Sequence, residues 1–419
     1  MDVIIAGAGI AGLTLALSLH QVRIPCRVFE SVDALAPLGV GINVLPHAVR
    51  ELTELGLQAR LAETGIATAA LAYHSRHGQL IWREPRGVAA GYRWPQFSIH
   101  RGALQMILLA AVRARLGADA VRMGHRLVGV EQDGDGAVAR FAGGAVARGA
   151  VVVGADGIHS ALRAQFVPGE GAPIWNGAIL WRGTTEAAPF LGGRTMIMAG
   201  HEFQKFVAYP ISAEAEGHGR SLVNWIAEKK FSTGHAWRRE DWNRAADLAD
   251  FAPDFATWRF DWLDIPALIA GAGAVYEYPM VDRDPLPCWT HGRATLLGDA
   301  AHPMYPIGSN GASQGILDAR VLTREFLAHG VGAAALAAYE AERRPATSRI
   351  VLANRGNGPE QVMQMVQERA PDGFSRIEDV LSTAELEGAA AGYKRLAGFD
   401  VGALNSRAPI VAVGGVAAG

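Results

Sequence analysis

Four apolar residues, Val3 to Ala6, open the chain as a short buried strand, and Ile10 to His20 follows with the character of a helix. Cys26 to Glu30 reads as the next parallel strand, which completes one βαβ unit. A glycine-rich loop covers Leu35 to Asn43, and a helical stretch runs from Pro46 to about Leu61. Residues 68–83 predict a hairpin around His77-Gly78, and Arg101 opens a helix with apolar residues at helical spacing. Residues 119–153 read as a small meander that ends in a strong strand, Ala150 to Val153. From Ala178 to Lys229 the pattern changes to strands: ILWRGTTE, RTMIMAG, QKFVAYPIS and SLVNWIAE, separated by turns, predict an antiparallel sheet. Trp237 to Ile269 is helical or irregular and rich in Trp. Strands follow at Ala274 to Val281 and Ala294 to Leu297, then mostly helical sequence and a loose tail over the last dozen residues.

Segments of nucleotide-binding type (1–65, 98–172 and 282–345) thus alternate with sheet segments (66–97 and 173–281), and 346–419 forms a C-terminal helical region and tail. The expected fold class is α/β: a Rossmann-like domain interwoven with an antiparallel-sheet domain, plus C-terminal helices. A length of 419 residues suits two such domains, and a chain that is 50% hydrophobic and 19% charged suits a large core. The formal net charge is -2 and no basic stripe is interleaved with aromatics, so nucleic acid is not an expected partner. The two cysteines, Cys26 and Cys288, form no CxxC; this argues against a disulfide scaffold or thiolate metal site and fits a reducing, cytoplasmic setting. His74 and His77 lie in a polar turn and are not read as metal ligands. The N-terminal apolar stretch lacks a basic n-region, so it is read as mature protein rather than a leader. No apolar run free of Gly or charge reaches the length of a membrane span, and a soluble protein is expected.

Gly7, Gly9 and Gly12 form GxGxxG, with Ile10 and Ala11 inside it, between a strand and a helix. The first glycine allows the tight turn, the second lets backbone approach a pyrophosphate, and the third lets helix pack on strand. The helix N-terminus offers unpaired N–H groups to the phosphates. Glu30, 18 residues after Gly12, ends the second strand with Ser31 beside it, suitably placed to accept from a ribose hydroxyl. This motif alone does not separate FAD from NAD(P).

Two further motifs, GADGIHSALR at 154–163 and GDAAHPMYPIGSNGASQGILDA at 298–319, make that separation. With them the chain resembles the single-component, FAD-dependent aromatic hydroxylases of the para-hydroxybenzoate hydroxylase type. The resemblance implies that Asp156, Gly157, Ser160 and Arg163 touch FAD and help NAD(P)H to dock. It implies that Gly298, Asp299, Pro306 and Gly308 form the flavin turn, with Asp299 on the ribityl hydroxyls. Arg101, in SIHRGALQ, matches an arginine near the FAD phosphates and ribityl; a plain helix-start arginine is the alternative. Gly41, in LGVGIN, belongs to the same set. Asn310, Gly311 and Ala312 open a helix whose N–H groups can stabilise negative charge on a reduced flavin. An N-cap is the alternative for Asp299. The likeness spans nearly the whole chain and is strongest to the phenazine-hydroxylating branch; salicylate and 3-hydroxybenzoate hydroxylases are more distant. SNG replaces the commoner GxG after Gly308, and nothing is carried over beyond about residue 355.

The resemblance implies bound FAD, transient NADPH or NADH, and O2. Together these would hydroxylate an aromatic or N-heteroaromatic small molecule through a flavin hydroperoxide, in a monomer or homodimer. No second GxGxxG occurs: GVGAAA at 330–335 follows a helix, which favours transient nicotinamide docking. No protein nucleophile is needed, and no clear base stands out. Pocket candidates are Trp181, Arg182, Tyr209, Trp225, Met304 and Tyr305. Arg182 either pairs with a substrate carboxylate or satisfies carbonyls at a strand end. Tyr209 hydrogen-bonds substrate or simply packs, and His201 is read as a loop histidine. The same flavin motifs would also serve an oxidase or dehydrogenase, or a flavin-loaded protein that binds an aromatic compound.

Overall fold

A computed structural model describes residues 1–232, 235, 244–356, 360–398 and 400–412. The expected βαβ unit is present as β1 (Val3–Ala6), α1 (Ile10–Gln21) and β2 (Cys26–Phe29). The predicted 46–61 helix is two helices, α2 (Pro46–Glu54) and α3 (Gln58–Thr64), because Gly56 adopts φ +73 between them. The end of the expected 35–43 loop is a strand, β3 (Gly41–Val44). It pairs antiparallel with β7 (Gln96–His100), which also takes β4 (Ile66–Thr68), so a small sheet bridges the two domains. β5 (Ala70–His74) and β6 (Leu80–Pro85) are the predicted hairpin.

After α4 (Arg101–Leu116) and the edge strand β8 (Val121–Arg122) comes the expected meander: β9 (Leu127–Gln132), β10 (Ala137–Phe141) and β11 (Val146–Gly149). It packs on the parallel sheet through Phe141, which stacks on Phe29 with ring centroids 4.6 Å apart. β12 (Val151–Gly154) then inserts beside β1, Val3 opposite Val151. Its four residues are fully buried or nearly so, which is why the run VVVG carries no polar alternation. The short helix α5 (Ala161–Phe166) follows.

The second domain is one seven-stranded sheet, ordered β19-β13-β16-β15-β14-β5-β6. Its strands are β13 (Ile174–Ala187), β14 (Thr195–His201), β15 (Gln204–Pro210), β16 (Ser221–Lys230) after α6 (Ala213–Gly217), and β19 (Val275–Asp282). The antiparallel expectation holds for every pairing but one: β14 runs parallel to β5, with Thr195 opposite Ala70. β5 reaches this sheet through a long excursion into the first domain, so no hairpin dictates its direction. On the face away from the first domain, Trp181, Phe206 and Trp225 pack against Phe251, Phe255 and Ile265. That covering segment holds β17 (Arg259–Phe260), β18 (Leu263–Asp264) and α7 (Ile265–Ala270). It is irregular with short helical turns, as expected for Trp237 to Ile269, of which 237–243 lie outside the described residues.

β20 (Thr290–His291) and β21 (Ala294–Leu296) close the parallel sheet beside β12 and lead into α8 (Gly311–His329). α9 (Ala333–Asn354) runs unbroken across 345, so the boundary expected at 345/346 falls inside one helix. α10 (Gln361–Arg369) and α11 (Thr383–Leu396) lie on the sheet face that looks toward the first domain, over Leu71, Met196 and Val207. The C-terminal helices therefore help to wall the space between the domains. α12 (Val401–Ser406) ends the regular structure; 408–412 follow without it, and the rest of the expected tail lies outside the described residues. Among the described residues no helix is long and apolar enough to cross a membrane.

Candidate active site

Three turns meet at the C-terminal ends of β1, β12 and β21. At Gly7, φ is +110 and an added Cβ would stand 2.3 Å from the Ala155 carbonyl oxygen. At Gly12 it would stand 2.1 Å from the Gly7 carbonyl oxygen, so α1 touches its own strand turn main chain to main chain. At Gly9 it would meet nothing within 4 Å, which leaves open space at the start of α1 for a pyrophosphate. Ile10 and Ala11 begin α1. The Ala11 methyl lies 3.0 and 3.1 Å from where Gly298 and Gly315 would carry side chains. Small residues thus bring the first motif, the third motif and α8 into contact. Glu30 stands at the lip: its Oε2 accepts from the Ala8 N–H at 2.8 Å, and its Oε1 accepts from the Ser31 hydroxyl at 2.9 Å. Arg101 is exposed at the start of α4, its side-chain stem over Gly39.

The second motif is braced by its own hydrogen bonds. Asp156 Oδ2 accepts from the Ala161 N–H at 2.8 Å and the Ser160 hydroxyl accepts from the Arg163 N–H at 3.0 Å, while Gly157 makes the turn between them. The Arg163 side chain is buried, and all five of its N–H groups are engaged. Nε and one Nη2 hydrogen go to Glu170, and the other Nη2 hydrogen goes to the Asp284 carbonyl. Nη1 donates to the Ala300 and Ala301 carbonyls at 3.2 and 2.8 Å. With all its donors used within the protein, Arg163 ties the second motif to the backbone of the third.

In the third motif Asp299 is exposed while Gly298 and Ala300 beside it are buried. Its Oδ1 lies 4.0 Å from where Gly311 would carry a side chain, so the carboxylate faces the start of α8. The N-cap alternative is not what is found: Asn310 occupies the cap of α8. Exposed Pro306, then Gly308, makes the turn into Gly311 and Ala312, whose N–H groups begin a 19-residue helix. Behind the turn lies a buried polar network that the sequence reading missed. Asp318 accepts from the Gly298 N–H at 3.1 Å, contacts His302 Nε2 at 2.5 Å and accepts from Arg343 Nε at 2.7 Å. Burial alone raises the Asp318 carboxyl, but the adjacent His302 and Arg343 more than reverse this and hold it at about 2. Arg343 continues to Gln314 Oε1 at 2.6 Å, and Gln314 to Asn310 Oδ1 at 3.2 Å. The available signal was an acid inside a short apolar stretch, GILDA.

His47 packs on the same network, with its Nε2 3.5 Å from Gln314 Nε2. Burial first, then the charges of Arg407 and Arg343, pushes it from 6.5 down to about 3. Its contribution to stability is therefore complete above pH 6.5 and is lost as pH falls toward 3, because the unfolded chain takes up the proton that the folded one refuses. The expected slope from this group is at most about 1.4 kcal/mol per pH unit. His47→Gln should flatten it, as read from urea midpoints at about pH 7 and about pH 5; an unchanged slope would refute the assignment.

On the sheet side, Gly41 is held by both of its main-chain groups. Its N–H donates to Asn224 Oδ1 at 2.6 Å, and its carbonyl accepts from Arg182 Nη2 at 2.7 Å. Gly41 therefore clasps the two domains. An added Cβ would meet Asn224 Cβ at 2.6 Å and Tyr209 Cε2 at 2.8 Å. Gly41→Ala is expected to part the domains locally and destabilise the fold by about 1–3 kcal/mol, read from thermal unfolding.

Tyr209 is buried beside Arg182; burial raises its phenol and the guanidinium draws it back. Trp181 and Trp225 do not join them. Residues of a strand alternate between faces, so Trp181 stacks on Phe251 (centroids 4.8 Å apart) and Trp225 donates to Thr185 Oγ1 at 3.0 Å, both in the far core. Tyr305 packs on the near face with Leu180 and Tyr278, and its carbonyl accepts from Asn354 Nδ2 at 3.0 Å. Met304 turns the other way, toward Leu45 and Tyr92. His201 ends β14 instead of lying in a loop. The near face keeps Arg182, Thr184, Ile226 and Tyr276 half-exposed while the opposite face is closed, which leaves an open wall opposite the flavin turn.

These features fit FAD: space at Gly9, a carboxylate lip at Glu30, the exposed Asp299, and a long helix that starts beside it. A family model described as FAD binding domain matches residues 1–173 and 283–354. The phenazine 1,6-dicarboxylic acid hydroxylase of Lysobacter antibioticus is 49% identical over 362 residues, covering 84% of this chain and 89% of that protein. A 3-amino-4-hydroxybenzoate 2-monooxygenase of Streptomyces platensis is 32% identical over 418 residues, covering 96% and 97%. Among solved structures, Klebsiella pneumoniae HpxO complexed with FAD and uric acid superposes with a TM-score of 0.71 at 27% identity, over 95% of this chain and 93% of that one. The chain belongs to the FAD-dependent monooxygenases that act on aromatic and heteroaromatic substrates.

Proposed function

We propose that the protein is a single-component, NAD(P)H-consuming hydroxylase of an N-heteroaromatic ring, of phenazine type. The observation that carries this reading is the 49% identity to a phenazine dicarboxylic acid hydroxylase over most of both chains. The open sheet wall, set opposite the start of α8, supports it. FAD, when bound, supplies the activation of O2 and the oxygen transfer. The chain's own residues bind and orient. The α1 N-terminus at Gly9 takes the pyrophosphate, Glu30 the adenosine ribose and Asp299 the ribityl hydroxyls. The N–H groups of Gly311 and Ala312 stabilise negative charge on the flavin ring. Tyr305 and Ile307, packed on Leu180 and Tyr278, seal one side of the space between the domains against water. A ring already activated by nitrogen needs no phenol deprotonation, consistent with the lack of an evident base. The absence of a second GxGxxG supports transient docking of the nicotinamide. Cysteine usage supports a cytoplasmic setting, in a monomer or homodimer.

The test is NADPH and NADH oxidation by the FAD-loaded protein, with and without phenazines, hydroxybenzoates, anthranilate and indoles, with products read by mass. Ligand-stimulated oxidation and a product heavier by one oxygen are expected. Bound FAD without stimulation by any ligand would favour the oxidase or binding readings.

A further inference from the structure

A buried cation shared by two carboxylates holds α10 on the sheet. Lys205 of β15 stands opposite Glu228 of β16 on the near face, the face of Val207 and Ile226. Its ammonium contacts Glu228 Oε2 at 3.1 Å and also pairs with Glu360, which caps the start of α10. All three side chains are buried, and among the described residues Lys205 is the one ion-pair partner of either carboxylate. One positive charge thus faces two negative ones in a dry seam, and only Glu360 belongs to the C-terminal helices. Lys205 draws α10 down, while Glu228 pushes it away from the sheet side. Burial raises the Glu228 carboxyl, the Lys205 charge draws it back and the Glu360 charge raises it again, as that repulsion requires. Lys230 and Glu202, an ion pair of their own, adjoin the seam, and the Glu202 N–H donates to Gln364 Oε1 of α10 at 3.2 Å.

The seam lies on a border. Val362, Met363 and Val366 of α10 pack over Leu71, Met196 and Val207, so β5, β14 and β15 are covered. Beyond them β16, β13 and β19 keep Ile226, Arg182, Thr184 and Tyr276 half-exposed. Lys205 belongs to the last covered strand and Glu228 to the first open one. The far end of the C-terminal segment reaches α8, where Gln314 Nε2 donates to the Ala397 carbonyl at 3.4 Å. The family match stops at residue 354, so this cover is not part of the shared FAD-binding domain.

We propose that α10 is a gate on the space between the sheet and the flavin turn, drawn shut by Lys205 and loaded toward opening by Glu228. Lifting its first turn extends the open wall from Ile226 across Val207 and Met196, which gives a flat ligand a way in and out along the sheet. The latch holds the cover whatever ligand binds, so the gate stands apart from the hydroxylase reading.

The test is amide hydrogen exchange of residues 361–369 in the FAD-loaded protein, without substrate or NAD(P)H. Two substitutions each remove one carboxylate from the same lysine. Glu360→Gln leaves Lys205 paired within the sheet and frees the cover, so exchange there should quicken about tenfold. Glu228→Gln leaves Lys205 paired to the cover and removes the repulsion, so exchange should slow by about threefold or more. A triad that served stability alone would give both the same sign, since each change leaves a buried lysine one partner short. Quenching of flavin fluorescence by acrylamide should follow the same order: Glu360→Gln above the unaltered protein, and Glu228→Gln below it. Exchange that quickens in both, changes in neither, or moves without any change in quenching overturns the gate. Should Glu360→Gln lose its flavin, Glu228→Gln alone decides: slower exchange with less quenching upholds the gate, and any other result overturns it. Ligand-stimulated NAD(P)H oxidation tests the hydroxylase reading separately, and its absence would leave this outcome untouched.

Discussion

Protein carrying Gly12→Ala is expected to purify colourless, with FAD affinity lowered by at least about a hundredfold and with a lower melting temperature. The added methyl would stand 2.1 Å from the Gly7 carbonyl oxygen, and both partners are main chain, so no side-chain rotation relieves the contact. Gly7 cannot retreat, because its own Cα side is closed by the Ala155 carbonyl. α1 must then move off the strand turn, which also pulls Ala11 from Gly298 and Gly315. Gly9→Ala provides the contrast. Its methyl meets nothing within 4 Å in the protein, so the fold should keep its melting temperature while the methyl fills the pyrophosphate's place and flavin is lost. Flavin content and melting temperature, measured together on both variants, separate the roles. Normal flavin content in Gly9→Ala would mean that the pyrophosphate does not pass there.

Asp318→Ala should be the most damaging single change in the core of the third motif, costing about 3–5 kcal/mol of stability. It removes the acceptor for the Gly298 N–H and for Arg343, and the partner of His302, all of them buried. The cost arises because charge and donors stay behind in a dry site, not because the ion pair is strong in itself. Arg343→Met added to Asp318→Ala should therefore be less harmful than the sum of the two single changes. Urea midpoints for the four proteins of that cycle measure the coupling. Strict additivity would mean that Arg343 finds another partner. Flavin retention should fall in parallel, since Asp318 fixes the residue before Asp299.

The βαβ unit and the meander were legible because their signals are local: glycine spacing, an apolar run, turns at short intervals. The strands at 178–229 were legible for the same reason, from their alternation. What alternation does not reveal is which face meets the other domain, and this is why Trp181 and Trp225 were expected beside Arg182 and Tyr209. One residue of offset sends a side chain to the opposite core. The parallel pairing of β14 with β5 escaped because it joins segments that no turn connects. The carbonyls that converge on Arg163 were not legible, because they come from residues 284, 300 and 301, far along the chain. Asn224 gave no warning, since its partner Gly41 is distant along the chain. Asp318 did give one, as an acid inside the short apolar stretch GILDA.

The strand order β20-β21-β12-β1-β2-β8 has a consequence for synthesis. β12 ends at residue 154, while the strand that covers its open edge begins at residue 294. At about 5–20 residues per second, the ribosome leaves that interval open for roughly seven to thirty seconds. Through it the VVVG edge, buried on both faces in the finished protein, waits with unpaired backbone groups beside the emerging second sheet. Asp299 and the start of α8 arrive later still. No nascent chain shorter than about three-quarters of its length can hold flavin, and no continuous fragment can be cut out that keeps the whole cradle.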